Sequence, residues 1–116
     1  VAARLVDVET GKTFELVTRE QNRHTSAHGV THRFRVNHKA SADVPLAKPW
    51  ISKHHGQILF DEERWWVVDG GSVNTVRVNG ERVADCGRRT IRDGDVLGFG
   101  ETRLRFETDG SGPEPG

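Results

Sequence analysis

Apolar residues in this chain alternate with polar ones in short runs, and no stretch of ordinary helical length carries them at the three-and-four spacing of a helical stripe. Ala3 to Val8 alternates around Leu5, Val6 and Val8, meets Glu9-Thr10-Gly11-Lys12, and the pattern resumes in Thr13-Phe14-Glu15-Leu16-Val17. Two period-two runs joined by a short glycine-containing turn predict a hairpin. Arg33-Phe34-Arg35-Val36 alternates charge with apolar bulk, as a strand with one wet face does. Asp43-Val44-Pro45-Leu46 predicts a short edge strand, because Pro45 has no N–H to give a central ladder. Gly56 to Phe60, a turn over Asp61-Glu62-Glu63-Arg64, and Trp65 to Asp69 predict a second hairpin. Its second arm, with two tryptophans and two valines, has the highest strand propensity in the chain. The pleat sends Trp65 and Trp66 to opposite faces, so at most one of them is core. Val76-Arg77-Val78, a type I′ turn at Asn79-Gly80 and Glu81-Arg82-Val83 predict a third hairpin. Thr90-Ile91 leads through a turn at Arg92-Asp93-Gly94-Asp95 into Val96 to Phe99, a turn at Gly100-Glu101, and a last strand over Thr102 to Glu107.

Between these runs the chain is polar. Thr18 to Thr31 is expected to be a long surface loop, with His24, His28 and His32 at four-residue steps. On a helix these three would form one ridge and a possible metal site. The segment has no apolar face, however, and Gly29 with β-branched Thr25, Val30 and Thr31 opposes a helix, so they are read as solvated loop histidines. Asn37 to Ala42 and Asp85 to Arg89 are polar connections, the second carrying Cys86. Ten or eleven short strands at near-regular spacing call for a β-sandwich or barrel. The first and last strands both alternate cleanly and are expected to pair. Residues 109–116, rich in Gly, Pro and Ser, are expected to form a disordered linker.

A chain of 116 residues makes one domain with a core of its own. With 17 basic and 17 acidic residues, net charge gives no global pull towards nucleic acid or membrane, so any basic patch must be local. Cys86 is the single cysteine, which excludes an internal disulfide and favours a reducing compartment. No apolar run approaches the ~20 residues needed to cross a bilayer. The chain begins at Val1, and we expect it to be a segment of a longer protein from which any targeting sequence has been cut.

The candidate chemistry lies in two loops of small polar residues, Trp50 to Ile58 and Asp69 to Asn74. Ser52, Lys53 and Asn74 offer a hydroxyl, a cation and a carboxamide, a set suited to an anionic oxygen cluster or a peptide backbone. From about Arg33 to Glu107 the chain resembles a forkhead-associated (FHA) domain. Ile51-Ser52-Lys53-His54-His55-Gly56 is similar to that family's serine–basic–histidine loop. Asp69-Gly70-Gly71-Ser72-Val73-Asn74, followed by Val78-Asn79-Gly80, is similar to its glycine–serine–threonine–asparagine loop and asparagine–glycine turn. Arg92 to Gly100 is similar to its glycine–aspartate turn and following strand. The resemblance implies an all-β, SMAD/FHA-type sandwich of about eleven mostly antiparallel strands over residues 1–108. It also implies a non-enzymatic module, without cofactor, that binds phosphothreonine peptides in an intracellular setting, nuclear or cytoplasmic.

Carried onto this sequence, the resemblance has Ser52 donating its hydroxyl to a phosphate oxygen, Lys53 adding charge, and Asn74 binding the peptide backbone. His55, Asn79 and Gly80 are then structural. The family's glycine–arginine pair, ahead of the aspartate matched by Asp43, is here Asn37-His38. That arginine is the family's main phosphate anchor, and an imidazole has no guanidinium fork. Protonated His38 or neighbouring Lys39 is expected to supply part of the charge. Val73 replaces the family's usual threonine at the pocket rim, and Thr75 replaces a glycine. These departures motivate an alternative: a degenerate FHA domain serving as a phosphate-independent scaffold or homodimerisation surface.

Other classes fit less well. Nucleic-acid binding through Arg33, Arg35, His38, Lys39, Lys48 and Lys53 is opposed by charge balance and by the lack of exposed aromatic platforms. Gly70-Gly71 has no following Gly-Lys-Ser/Thr or helix and so makes no phosphate loop. Ser52 beside His55 lacks an acidic partner for nucleophilic catalysis, and Cys86 has no activating motif. His54 and His55 are adjacent and point apart, which argues against a metal pair.

Overall fold

The computed structural model describes residues 3–115. Strand β1 (Ala3–Asp7) pairs antiparallel with β13 (Thr102–Thr108), Leu5 facing Phe106, so the first and last strands read from the sequence do meet. On the other side of β1 lies β2 (Thr13–Glu15), completing the opening hairpin. β12 (Val96–Phe99), β9 (Val76–Val78) and β10 (Glu81–Arg82) extend this sheet from the far edge of β13. The second sheet is built on β5 (Gly29–Asn37), β7 (Gly56–Asp61) and β8 (Arg64–Asp69), all antiparallel. β11 (Arg88–Thr90) closes one edge of it. β4 (Arg23–Ser26) and the two-residue β6 (Val44–Pro45) share the other edge, each against a different part of β5. Pro45 is thus at an edge, as its missing N–H requires.

The inward-facing residues of the two sheets form one core. Leu5, Leu97, Phe99, Leu104 and Phe106 come from the first sheet, and Phe34, Val36, Ile58, Trp65 and Val67 from the second. Trp65 joins the layers: its ring lies 6.0 Å from Phe34 in its own sheet and 5.5 Å, edge-on, from Phe106 in the other. Burying each such side chain contributes ~1.5–3 kcal/mol. Trp66 lies on the outer face, capped by the Arg88 guanidinium 4.0 Å from its ring. At most one of the two tryptophans is core, as the pleat dictates.

Three strands were not legible in the pattern: β3 (Val17–Thr18), β4 and β14 (Glu114–Pro115). The segment expected to be a loop from Thr18 to Thr31 is a 3₁₀ turn (Glu20–Asn22) followed by a hairpin, β4 pairing with Gly29 to His32. Its residues are mostly exposed on both faces, so no apolar alternation announces it. It puts His24 on β4, His28 in the turn and His32 on β5 rather than on one helical ridge. Among the described residues no cluster of three metal-binding side chains forms. The connection expected over Asp85 to Arg89 also gives up Arg88 and Arg89 to β11. Residues 109–115, expected from composition to be a disordered linker, run back along the sandwich instead. The indole N–H of buried Trp65 donates to the Ser111 carbonyl (3.1 Å), and β14 lies parallel to β3. Gly116 lies outside the described residues.

The connections β5–β6, β6–β7, β8–β9 and β12–β13 gather at one end of the sandwich. The turns at Glu62-Glu63, Asn79-Gly80 and Asp93-Gly94 lie at the other. At that other end Asn79 is a brace. Its amide donates to Asp95 (3.0 Å) and its side-chain oxygen accepts from Val96 N–H (2.9 Å), while Asn79 and Gly80 both take the positive φ of a type I′ turn.

Candidate functional site

The loop end is tied together by His55, which has no solvent exposure. Its Nδ1 accepts the Ser52 backbone N–H (3.0 Å), and its Nε2 lies 2.8 Å from the Thr75 carbonyl. Both bonds require the neutral tautomer with the proton on Nε2, which donates to that carbonyl. The ring sits edge-on to Phe99 at 5.6 Å. One imidazole therefore couples the β6–β7 loop to the β8–β9 loop.

Three further contacts fix the same pair of loops. Ser52 Oγ accepts Val73 N–H at 3.3 Å, Asn74 Nδ2 donates to the Trp50 carbonyl at 2.9 Å, and Gly70 N–H donates to the His55 carbonyl at 2.9 Å. Gly70 must be glycine here, since a Cβ would fall 2.2 Å from the His54 carbonyl oxygen. Asp69, 1% exposed, braces the turn from within: its Oδ1 accepts from the N–H groups of Gly71 and Ser72 and from the Ser72 hydroxyl. Thr75 adopts φ +63, the left-handed conformation in which its matched family position carries glycine. Holding a β-branched residue in this region costs ~1–3 kcal/mol of backbone strain.

Ser52, Val73 and Asn74 are accordingly brought side by side. The Val73 side chain is 87% exposed at the rim. Lys53 and Lys39, both exposed, line a neighbouring cleft of about 370 Å³ between the β5–β6 and β6–β7 loops. His38, also exposed, is absent from that lining and makes no hydrogen bond or ion pair among the described residues.

A third cation, Arg35 of β5, does line the cleft. Sequence reasoning placed it only in a dispersed basic set. The signal available was the alternation that turns Arg35 away from core residues Phe34 and Val36. The cleft itself depends on the register of Arg35 opposite Gln57 and was not readable. No carboxylate lines the cleft, and among the described residues none pairs with Arg35, Lys39 or Lys53. Arg4, Arg82, Arg88, Arg89 and Arg105, by contrast, all have carboxylate partners. The cleft lining thus carries three cations and no carboxylate, and the nearby Asp43 carboxylate is engaged by the Arg35 backbone N–H.

Comparison with known proteins accords with this geometry. The sandwich superposes on the first FHA domain of Rv1747 from Mycobacterium tuberculosis with a TM-score of 0.64 and 28% identity, covering 91% of this chain and 94% of that one. It superposes on the N-terminal FHA domain of Rad53p from S. cerevisiae, solved with a phosphothreonine peptide, with a TM-score of 0.75 and 18% identity, covering 94% of each chain. In sequence, 48 residues are 42% identical to the ABC transporter ATP-binding/permease protein Rv1747 of M. tuberculosis. That match takes in 41% of this chain and only 6% of the transporter's length. The FHA domain family model matches residues 33–100, from β5 through the β12–β13 turn, and therefore spans both loops of the site; this chain belongs to the FHA domain family.

Proposed function

We propose that this FHA domain binds phosphothreonine-containing segments of a partner protein at the loop end of the sandwich. The observation that carries the reading is how Ser52 and Asn74 are held. Ser52 Oγ accepts from Val73 N–H and so keeps its own O–H free to donate to a phosphate oxygen. Asn74 uses one amide hydrogen on the Trp50 carbonyl, which fixes the carboxamide and leaves its oxygen free to accept a peptide N–H. Lys53 and Lys39 add charge beside them, His38 stands at the outer edge, and Val73 packs against the ligand from the rim. Nothing in this arrangement calls for a cofactor. An intracellular setting follows from the reading, because the kinases that would write the ligand act there.

Titration with matched phosphothreonine and threonine peptides, followed through backbone amide shifts, tests the proposal. Ser52 and Asn74 should move with the phosphorylated set alone. If neither moves at millimolar peptide, the proposal fails.

A second reading, a scaffold or self-associating domain indifferent to phosphate, is favoured by one observation: His38 stands where the family's arginine belongs and lies outside the cleft lining. It predicts that Ser52→Ala leaves partner binding unchanged. Loss of the partner after phosphatase treatment would count against it.

A further inference from the structure

We propose that the anion anchor of this domain has moved from the β5–β6 loop onto strand β5, so that Arg35, flanked by Lys39 and Lys53, receives the phosphate. The inference rests on the phosphothreonine reading and names the residue that makes it workable in a chain with no loop arginine. Three observations support it. Arg35, Lys39 and Lys53 line one open cleft with no carboxylate in its wall. Those three cations lack ion-pair partners among the described residues, so their donors are available to an anion. The Arg35 backbone is also fixed: its N–H donates to Asp43 Oδ2 (2.9 Å), and it sits in register with Gln57. Asp43 is itself held by the Asn22 carboxamide at its other oxygen (3.3 Å), so it positions the Arg35 main chain without forming an ion pair with the side chain.

A guanidinium suits this task better than the imidazole of His38. It is charged at every working pH and presents parallel N–H donors to two phosphate oxygens. Placed on a strand paired to β7, it also reaches the ligand from a rigid base, where a loop residue must first be ordered.

The test uses the intact chain with capped phosphothreonine (N-acetyl, N-methylamide), capped threonine and inorganic phosphate as probes, so no peptide sequence need be known. Binding is followed through the Arg35 side-chain Nε–H signal and the amides of Ser52 and Asn74. Capped phosphothreonine should shift the Arg35 Nε–H. Arg35→Gln, an exposed position whose unfolding curve serves as a folding control, should weaken binding about tenfold or more, the scale of a lost charge-assisted pair. His38→Ala should weaken binding far less than Arg35→Gln does, and His38→Arg should restore part of the affinity lost in Arg35→Gln. If Arg35→Gln binds like the parent while Ser52→Ala is weakened, the anchor is misplaced and the phosphothreonine reading stands. If the parent responds to neither phosphate probe at tens of millimolar, both are overturned.

Discussion

Removing the His55 imidazole should do more damage than any other single change at the loop end. His55→Ala strips the Ser52 N–H of its acceptor and the Thr75 carbonyl of its closest donor, and it empties a space against Phe99. The Ser52 N–H left unpaired costs ~1–3 kcal/mol. The Thr75 carbonyl keeps a long contact to Gly100 N–H (3.4 Å), so its loss is closer to ~0.5–1.5 kcal/mol. The vacated ring volume adds ~1–2 kcal/mol. The sum, about 2.5–6.5 kcal/mol, is a large share of the ~6–17 kcal/mol expected for a domain of this size. Urea unfolding at 25 °C should show the midpoint falling by about 2 M at unchanged slope. His54→Ala is the matched control. His54 is exposed and makes no hydrogen bond among the described residues, so its removal should cost less than ~0.5 kcal/mol. In the parent, imidazole nitrogen NMR should find Nδ1 bare and Nε2 protonated. A loss below ~1 kcal/mol for His55→Ala, or equal losses for the two histidines, would refute the strut.

Two further outcomes follow from the opposite end and the sheet edge. Glu62 and Glu63 take φ of 55° and 59° in the turn between β7 and β8, a conformation that disfavours residues with a Cβ. Replacing them with Asn-Gly should gain about 1 kcal/mol, net of the weak 3.7 Å Arg88–Glu62 pair, and raise the melting temperature by about 4 °C; a fall would show the turn to be unstrained. The His32 imidazole, hydrogen bonded to Thr18 Oγ1 (2.8 Å), is held below its ordinary pKa first by partial burial and then by the Arg23 charge. The unfolded chain therefore takes up its proton first. Stability from this group is full above about pH 6.5 and is lost as the pH falls from there through the folded-state value. His32→Gln should flatten that part of the stability–pH curve, and an identical slope in the variant would rule the mechanism out.

Much of the fold was legible because it rests on side-chain period and on turn residues. The β1–β2, β7–β8 and β9–β10 hairpins follow from alternation and from their connecting turns, and the pleat alone keeps at most one of Trp65 and Trp66 in the core; the packing of the two sheets makes it Trp65. The β4–β5 hairpin and the β3–β14 pairing escaped because their strands are short or wet on both faces and are held by backbone bonds that leave no apolar trace. At the candidate site, the resemblance to a family singles out Ser52 and Asn74, and that the two lie side by side depends on contacts across the loops, to Val73 N–H and the Trp50 carbonyl. His38 and Arg35 mark the limit. The resemblance to the family points to His38 in the loop, whereas the cleft is lined by Arg35, three positions earlier on the strand, with Asn37 and Lys39.

A strand-built domain, its hairpins, and loops bearing a hydroxyl, a carboxamide and cations can be read from the residues alone, because each of these depends only on near neighbours along the chain. Which cations face a common space, that no carboxylate lines it, and that a buried imidazole locks the two loops to each other emerge only once the sheets are packed. Those properties depend on sheet register and on distances across the sandwich, which join residues far apart in the chain and are set by the packing of the whole core.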